Sequence, residues 1–167
     1  MPTPTLYLLD KNVVRTSVRA LVRLSSGLTL TDEQRETLRF LEAIRLLGHR
    51  LFIAPESYNI LTIRFAPRPE IYIFLQQIEV LHPTRYCRRW ARRLRAFGFS
   101  REDAWELALG TFGTDEAEEN LGVHVLATFD RPMVSLFSSE RSAIQERLLA
   151  MTTHPVSYTH LTLPTKA

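Results

Sequence analysis

Four short, largely apolar segments separated by helix-like stretches constrain the fold of this 167-residue chain more than any other feature. They cover residues 6–9, 51–54, 79–81 and 123–128. Strands this short and apolar, alternating with helices, are typical of a parallel sheet that is covered on both faces. We therefore predict an α/β fold, a three-layer α/β/α sandwich with a central, mainly parallel sheet of roughly four to five strands.

Polar caps and glycines mark the ends of the predicted helices. Thr31 and Gln34 have the spacing of a capping box, and Ser100 stands where a later helix begins. Gly48 and Gly98 end two helices, because glycine readily adopts the left-handed conformation that follows a helix C-terminus. The last predicted helix covers residues 139–150.

The composition excludes several classes of protein. No apolar run reaches the ~20 residues of a membrane helix, and the single cysteine, Cys87, excludes a disulfide framework and a cysteine-based zinc site. The first residues have neither a basic start nor a small-residue cleavage site, so we expect a cytoplasmic protein without a secretory signal. Arginine supplies nearly all of the positive charge, which suits phosphate contacts as well as surface ion pairs.

Residues 156–167, VSYTHLTLPTKA, resemble the translated end of a transposon-type sequencing adapter. We therefore expect a single domain in residues 1–155 and give His160 and Lys166 no functional weight. The alternative is a genuine terminal strand, because SYTHLTL alternates apolar and polar residues.

Acidic residues follow the predicted strands where α/β proteins bind ligands. Asp10 ends the first strand, Glu56 follows the second and Asp130 follows the fourth. The carboxyl ends of parallel strands meet at one edge of a sheet, and Asp103, in the first turn of a predicted helix, can join them there. Carboxylates in one pocket repel each other, and Mg²⁺ or Mn²⁺ relieves that repulsion. Such an ion activates water and offsets phosphodiester charge, as a nuclease requires.

Each of these acids also has a purely structural interpretation. Asp10 and Asp130 can cap helices, Asp103 is near a capping-box position after Ser100, and Glu56 can complement a helix dipole. If all four are caps, the chain is an α/β domain without a metal. The acids would then lie more than ~10 Å apart, too far to share one ion.

Three motifs, in this order, resemble the PIN-domain family and in particular its VapC-like ribonucleases. LLDKNVV resembles the family's first strand with its aspartate and asparagine, here Asp10 and Asn12. REDAWELALG resembles the helix that presents an inward aspartate, here Asp103. GVHVLATFDRPM resembles the last core strand with its threonine and aspartate, here Thr128 and Asp130.

The resemblance covers residues 6–133 and implies a parallel-sheet fold and Mg²⁺- or Mn²⁺-dependent cleavage of RNA. The implied metal ligands are Asp10, Asp103 and Asp130, with Glu56 as a weaker candidate. Asn12 would orient Asp10 or the attacking water, and Thr128 would position the site by hydrogen bonding. Many small family members are toxins of toxin–antitoxin pairs and many form homodimers. The implied partners are therefore RNA, an antitoxin protein and a second copy of the chain.

The chain departs from the family pattern in two places. The family usually has a glutamate inside the helix after the second strand, where this chain has Asn59 and Ile60, with Glu56 as the nearby acid. The loop before the last strand is also longer than usual. Its Asp115 is either a further ligand or, as we favour, part of a solvated acidic loop. The unmatched glutamate keeps an alternative function open, a catalytically impaired PIN-like module that binds RNA or a protein partner.

Residues 85–97 form the most basic predicted helix, and its candidate nucleic-acid ligands are Arg88, Arg89, Arg92 and Arg93. These arginines would either contact RNA phosphates without reading sequence or form the solvated face of an amphipathic helix. Residues expected to be structural rather than functional are Trp90 and Trp105 in the core and His49, His82 and His124 beside the strands.

Overall fold

The computed structural model describes residues 2–64 and 68–151. Within them, four strands and seven helices follow one another along the chain. Their order is β1 (Leu6–Leu9), α1 (Lys11–Ser25), α2 (Asp32–Leu46), β2 (Arg50–Ile53), α3 (Pro55–Arg64), α4 (Pro69–Gln76), β3 (Glu79–Val80), α5 (Arg85–Arg95), α6 (Arg101–Phe112), β4 (Val125–Ala127) and α7 (Arg131–Met151). No helix of this part of the chain is long and apolar enough to cross a membrane.

The four strands form one parallel sheet in the order β3-β2-β1-β4. Strand β1 is central, with Leu8 opposite Phe52 of β2 on one side and Leu126 of β4 on the other. All three side chains are fully buried. The parallel sandwich predicted from the sequence is confirmed.

Two apolar clusters cover the two faces of the sheet, because successive strand residues point to opposite sides. Leu8 packs with α5, α6 and α7 through residues such as Trp90 and Leu107. Leu9, the next residue, packs with α1, α2 and α4 through residues such as Val14 and Phe74. The sheet is therefore the middle of three layers.

Local signals fixed most helix ends. The Thr31 hydroxyl accepts a hydrogen bond from the Gln34 backbone N–H, and the Gln34 side chain accepts one from Thr31 N–H, so the predicted capping box is present. Ser100 likewise accepts from the backbone of Asp103 at the start of α6. Gly98 has a φ of +106°, a conformation that favours glycine.

The predicted start of the last helix was wrong. Helix α7 begins at Arg131 rather than at residue 139. Pro132 lies in its first turn, where proline has no intrahelical hydrogen bond to lose. Buried Met133, Phe137 and Ile144 give the helix its apolar stripe. The predicted tail, residues 156–167, lies outside the described residues, and the boundary at residue 155 stays a prediction.

The strand order makes the carboxyl ends of β1 and β4 a topological switch point. The chain moves from β1 to β2 and β3 on one side, and then returns to form β4 on the other side of β1. Parallel sheets bind ligands at such a switch point, because the two crossovers leave in opposite directions. Asp10 follows β1 and residues 128–130 follow β4 directly at this point.

Candidate active site at the carboxyl edge of the sheet

Asp10 and Thr128 join the two strand ends at the switch point. The Asp10 backbone N–H donates to the Ala127 carbonyl over 2.9 Å. The Thr128 hydroxyl donates to Asp10 Oδ2 over 2.7 Å, and both side chains are buried. Asp10 Oδ1 accepts the Lys11 backbone N–H over 2.8 Å. These bonds hold the Asp10 carboxylate in one orientation, and each oxygen keeps a further lone pair for another partner.

Asp130 is connected to the same group of side chains. Its backbone N–H donates to the Thr128 hydroxyl oxygen over 3.0 Å. Its Oδ1 accepts the Met133 backbone N–H, also over 3.0 Å, and so caps α7. Thr128 therefore links Asp10 to Asp130. Both aspartates act as helix caps, which agrees with that part of the structural interpretation.

Asp103 lies in the first turn of α6 and interacts electrostatically with Asp10 and Asp130. Burial raises the pKa of Asp103, and the neighbouring charge of Asp130 adds to the rise, while the Ser100 hydroxyl opposes it. Burial likewise raises the pKa of Asp10, against the hydrogen bonds from Thr128 and Lys11, and the charge of Asp103 raises it further. The carboxylates of β1, α6 and the β4–α7 turn thus act on each other electrostatically.

Glu106 is a further acid at the candidate site, and the sequence reasoning missed it. It lies on α6 one turn after Asp103, and it is 9% exposed. Burial raises its pKa to about 8, and the charges of Asp10, Glu56 and Asp103 contribute to the rise. Its Oε1 atom is buried with no hydrogen-bond partner among the described residues. The available signal was a glutamate inside a run that is otherwise apolar or small, residues 104–110.

Lys11 supplies positive charge at the rim of this group. Its ammonium forms an ion pair with Glu102, and both side chains are largely exposed. The bond to Glu102 raises the pKa of Lys11, and the charges of Asp10 and Glu106 add to that effect. Lys11 is therefore charged but already paired.

The remaining predicted site residues are more exposed. Glu56 lies exposed in the first turn of α3, and its charge reaches Glu106. Asn12 is half-buried in the first turn of α1. Among the described residues, no three histidine, cysteine, aspartate or glutamate side chains are arranged closely enough to hold a metal ion without rearrangement.

Asp115 has a structural role, which corrects both interpretations of the long loop. It is 2% exposed rather than solvated. It accepts hydrogen bonds from the backbone of Glu119 and Asn120 and from the Asn120 side chain, and it pairs with Arg50. Although burial opposes the charged form, these bonds hold the pKa of Asp115 below its ordinary value. Arg50 begins β2, so this pair lies toward the edge of the sheet opposite to Asp10.

The arginine helix α5 packs antiparallel to α6. The Thr84 hydroxyl, at its start, donates to the Phe112 carbonyl at the end of α6. Arg88, Arg89 and Arg92 are exposed. Arg93 is half-buried, and burial together with the charges of Arg147 and Arg89 lowers its pKa. Trp90 is fully buried, as predicted.

The predicted structural residues have structural contacts. His49 Nδ1 accepts a hydrogen bond from the Thr5 backbone N–H, and His124 Nδ1 accepts one from the Leu6 backbone N–H. Both rings therefore bind the backbone at the start of β1. Cys87 is fully buried in the core.

Comparisons with known proteins bear on the fold. No family model matches the chain, and no curated protein matches it. Among solved structures, a match is the crystal structure of VapBC2 from Rickettsia felis bound to a DNA fragment from their promoter. It has a TM-score of 0.51 and 13% sequence identity, and it covers 98% of this chain and 100% of the other chain. At this level of identity the match shows a shared α/β fold.

Proposed function

We propose that this chain is a PIN-like endoribonuclease that uses Mg²⁺ or Mn²⁺. The observation that carries the proposal is the group of electrostatically coupled carboxylates at the switch point, where Thr128 bridges Asp10 and Asp130. Buried like charges raise each other's pKa, and such a group is expected at a functional site rather than in a core. The motif resemblance and the fold shared with a chain of VapBC2 support the same assignment.

The donor atoms suit a hard divalent cation. Asp10, Asp103 and Asp130 offer carboxylate oxygens, with exposed Glu56 as a weaker candidate. Oε1 of Glu106 is a buried acceptor with no hydrogen-bond partner among the described residues, and a bound cation would satisfy it. A bound ion would lower the pKa of a water molecule and offset charge on the phosphodiester. The side chains would need to approach one another to bind it, because no three such ligands come together among the described residues.

Other residues of the chain have positioning roles in this proposal. Thr128 fixes the direction of the Asp10 carboxylate, and its hydroxyl oxygen at the same time holds the Asp130 backbone. Asn12, in the first turn of α1, would orient Asp10 or the attacking water. Lys11 limits the net negative charge that an RNA phosphate would meet at the rim.

The exposed arginines of α5 would bind RNA phosphates. Helix α6 is 12 residues long, about 18 Å, with Asp103 at one end and the start of α5 at the other. Because α5 runs antiparallel to α6, Arg92, in the second half of α5, lies closer to Asp103 along the helix axis than Arg88 does. Changing Arg89 and Arg92 together to Gln should weaken RNA binding measured in EDTA. The slope of the logarithm of the binding constant against the logarithm of the salt concentration should become shallower by about one for each lost phosphate contact. Unchanged binding would place the RNA elsewhere.

We further propose a toxin role with an antitoxin protein as partner, and a homodimer as the assembly. The support is the motif resemblance together with the fold shared with a chain of the VapBC2 complex. Mixing the chain with the protein encoded beside its gene should then block cleavage.

Cleavage of a labelled structured RNA tests the function. Activity should require Mg²⁺ or Mn²⁺, disappear in EDTA and be lost in Asp10→Asn, while Asp32→Asn, on the exposed start of α2, should stay active. A second candidate function is an impaired module that binds RNA or protein. It is favoured by the spacing of the acids, because no three ligand side chains come together within the described residues. Metal binding without cleavage of any RNA tested would support that alternative.

A further inference from the structure

Glu106 occupies a position that is unusual for a charged side chain. It lies on α6, whose residues 106–112 are all buried, so the helix has no solvent-facing side at this level. Its neighbours along the helix, Leu107 and Ala108, belong to the apolar core. Residues three apart share a helix face, which puts Glu106 on the same face as Asp103. The chain therefore directs this carboxylate to the acidic group rather than to water.

A buried carboxylate normally has hydrogen-bond partners, and this chain provides the comparison. Asp115 is similarly buried and receives bonds from Glu119, Asn120 and Arg50. Glu106 Oε1 has no partner within residues 2–64 and 68–151. An unsatisfied buried acceptor is costly and calls for an explanation, such as a bound ion.

The charges around Glu106 favour a cation as the missing partner. Asp10, Glu56 and Asp103 all raise its pKa, while Lys11 lowers it and is already paired with Glu102. A further anion would add to the repulsion among these acids, and an apolar group would leave Glu106 Oε1 without a partner. A divalent cation would satisfy the orphan oxygen and neutralise the neighbouring acids together.

Helix α3 does not offer an equivalent carboxylate. Asn59 and Ile60 are exposed, and Glu56, in the first turn, is exposed as well. We propose that Glu106 on α6 supplies a buried carboxylate ligand, so that Asp103 and Glu106 bind the ion from one helix face. This inference rests on the proposed metal site, and it names a ligand from a different element of the fold.

Calorimetric titration of the full chain with Mn²⁺ tests the inference without depending on activity. Glu106→Gln keeps the volume of the side chain and removes its charge, and it should weaken Mn²⁺ binding at least about tenfold. The thermal stabilisation that Mn²⁺ gives the parent should fall in parallel, because it depends on affinity. Glu146→Gln is the matched control, since Glu146 is exposed on α7 and lies about 22 Å along that helix from its start.

The outcomes separate this inference from the proposed function. Mn²⁺ binding that Asp10→Asn abolishes and Glu106→Gln leaves unchanged would overturn the role of Glu106 and leave the metal site standing. No Mn²⁺ binding by the parent chain would overturn both. Melting curves recorded in EDTA test whether the variant is folded as stably as the parent. If Glu106→Gln melts at a lower temperature than the parent in EDTA, Glu106 is a structural residue and the inference fails.

Discussion

The metal-free protein should lose stability as the pH rises, because folding buries Glu106 among other acids. Its pKa rises from an ordinary 4.5 to about 8 in the folded chain. Between these values the folded state keeps a proton that the unfolded state releases, so the free energy of unfolding falls with increasing pH. The stabilisation linked to this proton is fully present below pH 4.5 and is gone above about pH 8.

The expected magnitude follows from the size of the pKa change. Each pKa unit corresponds to ~1.4 kcal/mol, so the whole change is worth ~5 kcal/mol, of which ~4 kcal/mol is lost by about pH 7.5. This is large beside a typical free energy of unfolding of roughly 5–15 kcal/mol. Glu106→Gln stays neutral at every pH, and its amide is buried much as the protonated acid is. The free energy of unfolding of the variant should therefore be higher than that of the parent by ~4 kcal/mol at about pH 7.5 and by under ~1 kcal/mol at about pH 5.

Urea unfolding in EDTA at these two pH values measures the difference, with the fluorescence of buried Trp90 as one probe. In thermal melts, ~4 kcal/mol corresponds to roughly 8–16 °C for a chain of this size. Comparing the two proteins removes the contribution of groups that titrate in both. A variant that is less stable than its parent at the higher pH, or a difference independent of pH, would refute the reasoning.

Three further substitutions test a hydrogen bond at the site and a close backbone approach at Gly122. Thr128→Val removes the buried hydroxyl that donates to Asp10 and should cost ~1.5–3 kcal/mol in urea unfolding; stability equal to the parent would show that this bond contributes little. Gly122→Ala places a Cβ in steric clash with the Thr111 carbonyl oxygen, whereas at Gly48, with nearly the same φ, it meets nothing within 4 Å. Gly48→Ala should lower the free energy of unfolding by ~1–2 kcal/mol, and Gly122→Ala should lower it clearly more. Equal losses would contradict the close approach of the Thr111 carbonyl oxygen to Gly122.

Elements with local signals could be predicted from the sequence. The Thr31 capping box and the apolar strands specify structure through near neighbours in the chain, and both are present. The first eight residues of α7 were missed because Pro132 and the polar serines that follow weaken the helical pattern. Their helical state depends on Met133 and Phe137 packing against the sheet layer, which is a tertiary effect.

The site was partly predictable for the same reason. Asp10 and Asp130 follow strands, so the parallel topology alone brings them to one edge. Glu106 was missed because its burial depends on α6 being enclosed on all sides, which becomes evident when the helices are packed. Asp115 was misjudged because its partner Arg50 is distant in sequence, and an acidic loop with no visible partner reads as solvated.

The central claim is that one metal ion binds at the carboxyl edge of β1 and β4. A crystal of the full chain grown with Mn²⁺, measured for anomalous scattering of manganese, tests it directly. The account predicts a single strong peak with carboxylate oxygens of Asp10 and Asp103 within roughly 2–2.3 Å, and Glu106 Oε1 turned toward it. A well-ordered crystal with no peak at this edge, or with its peak at another cluster of acids, would contradict the account.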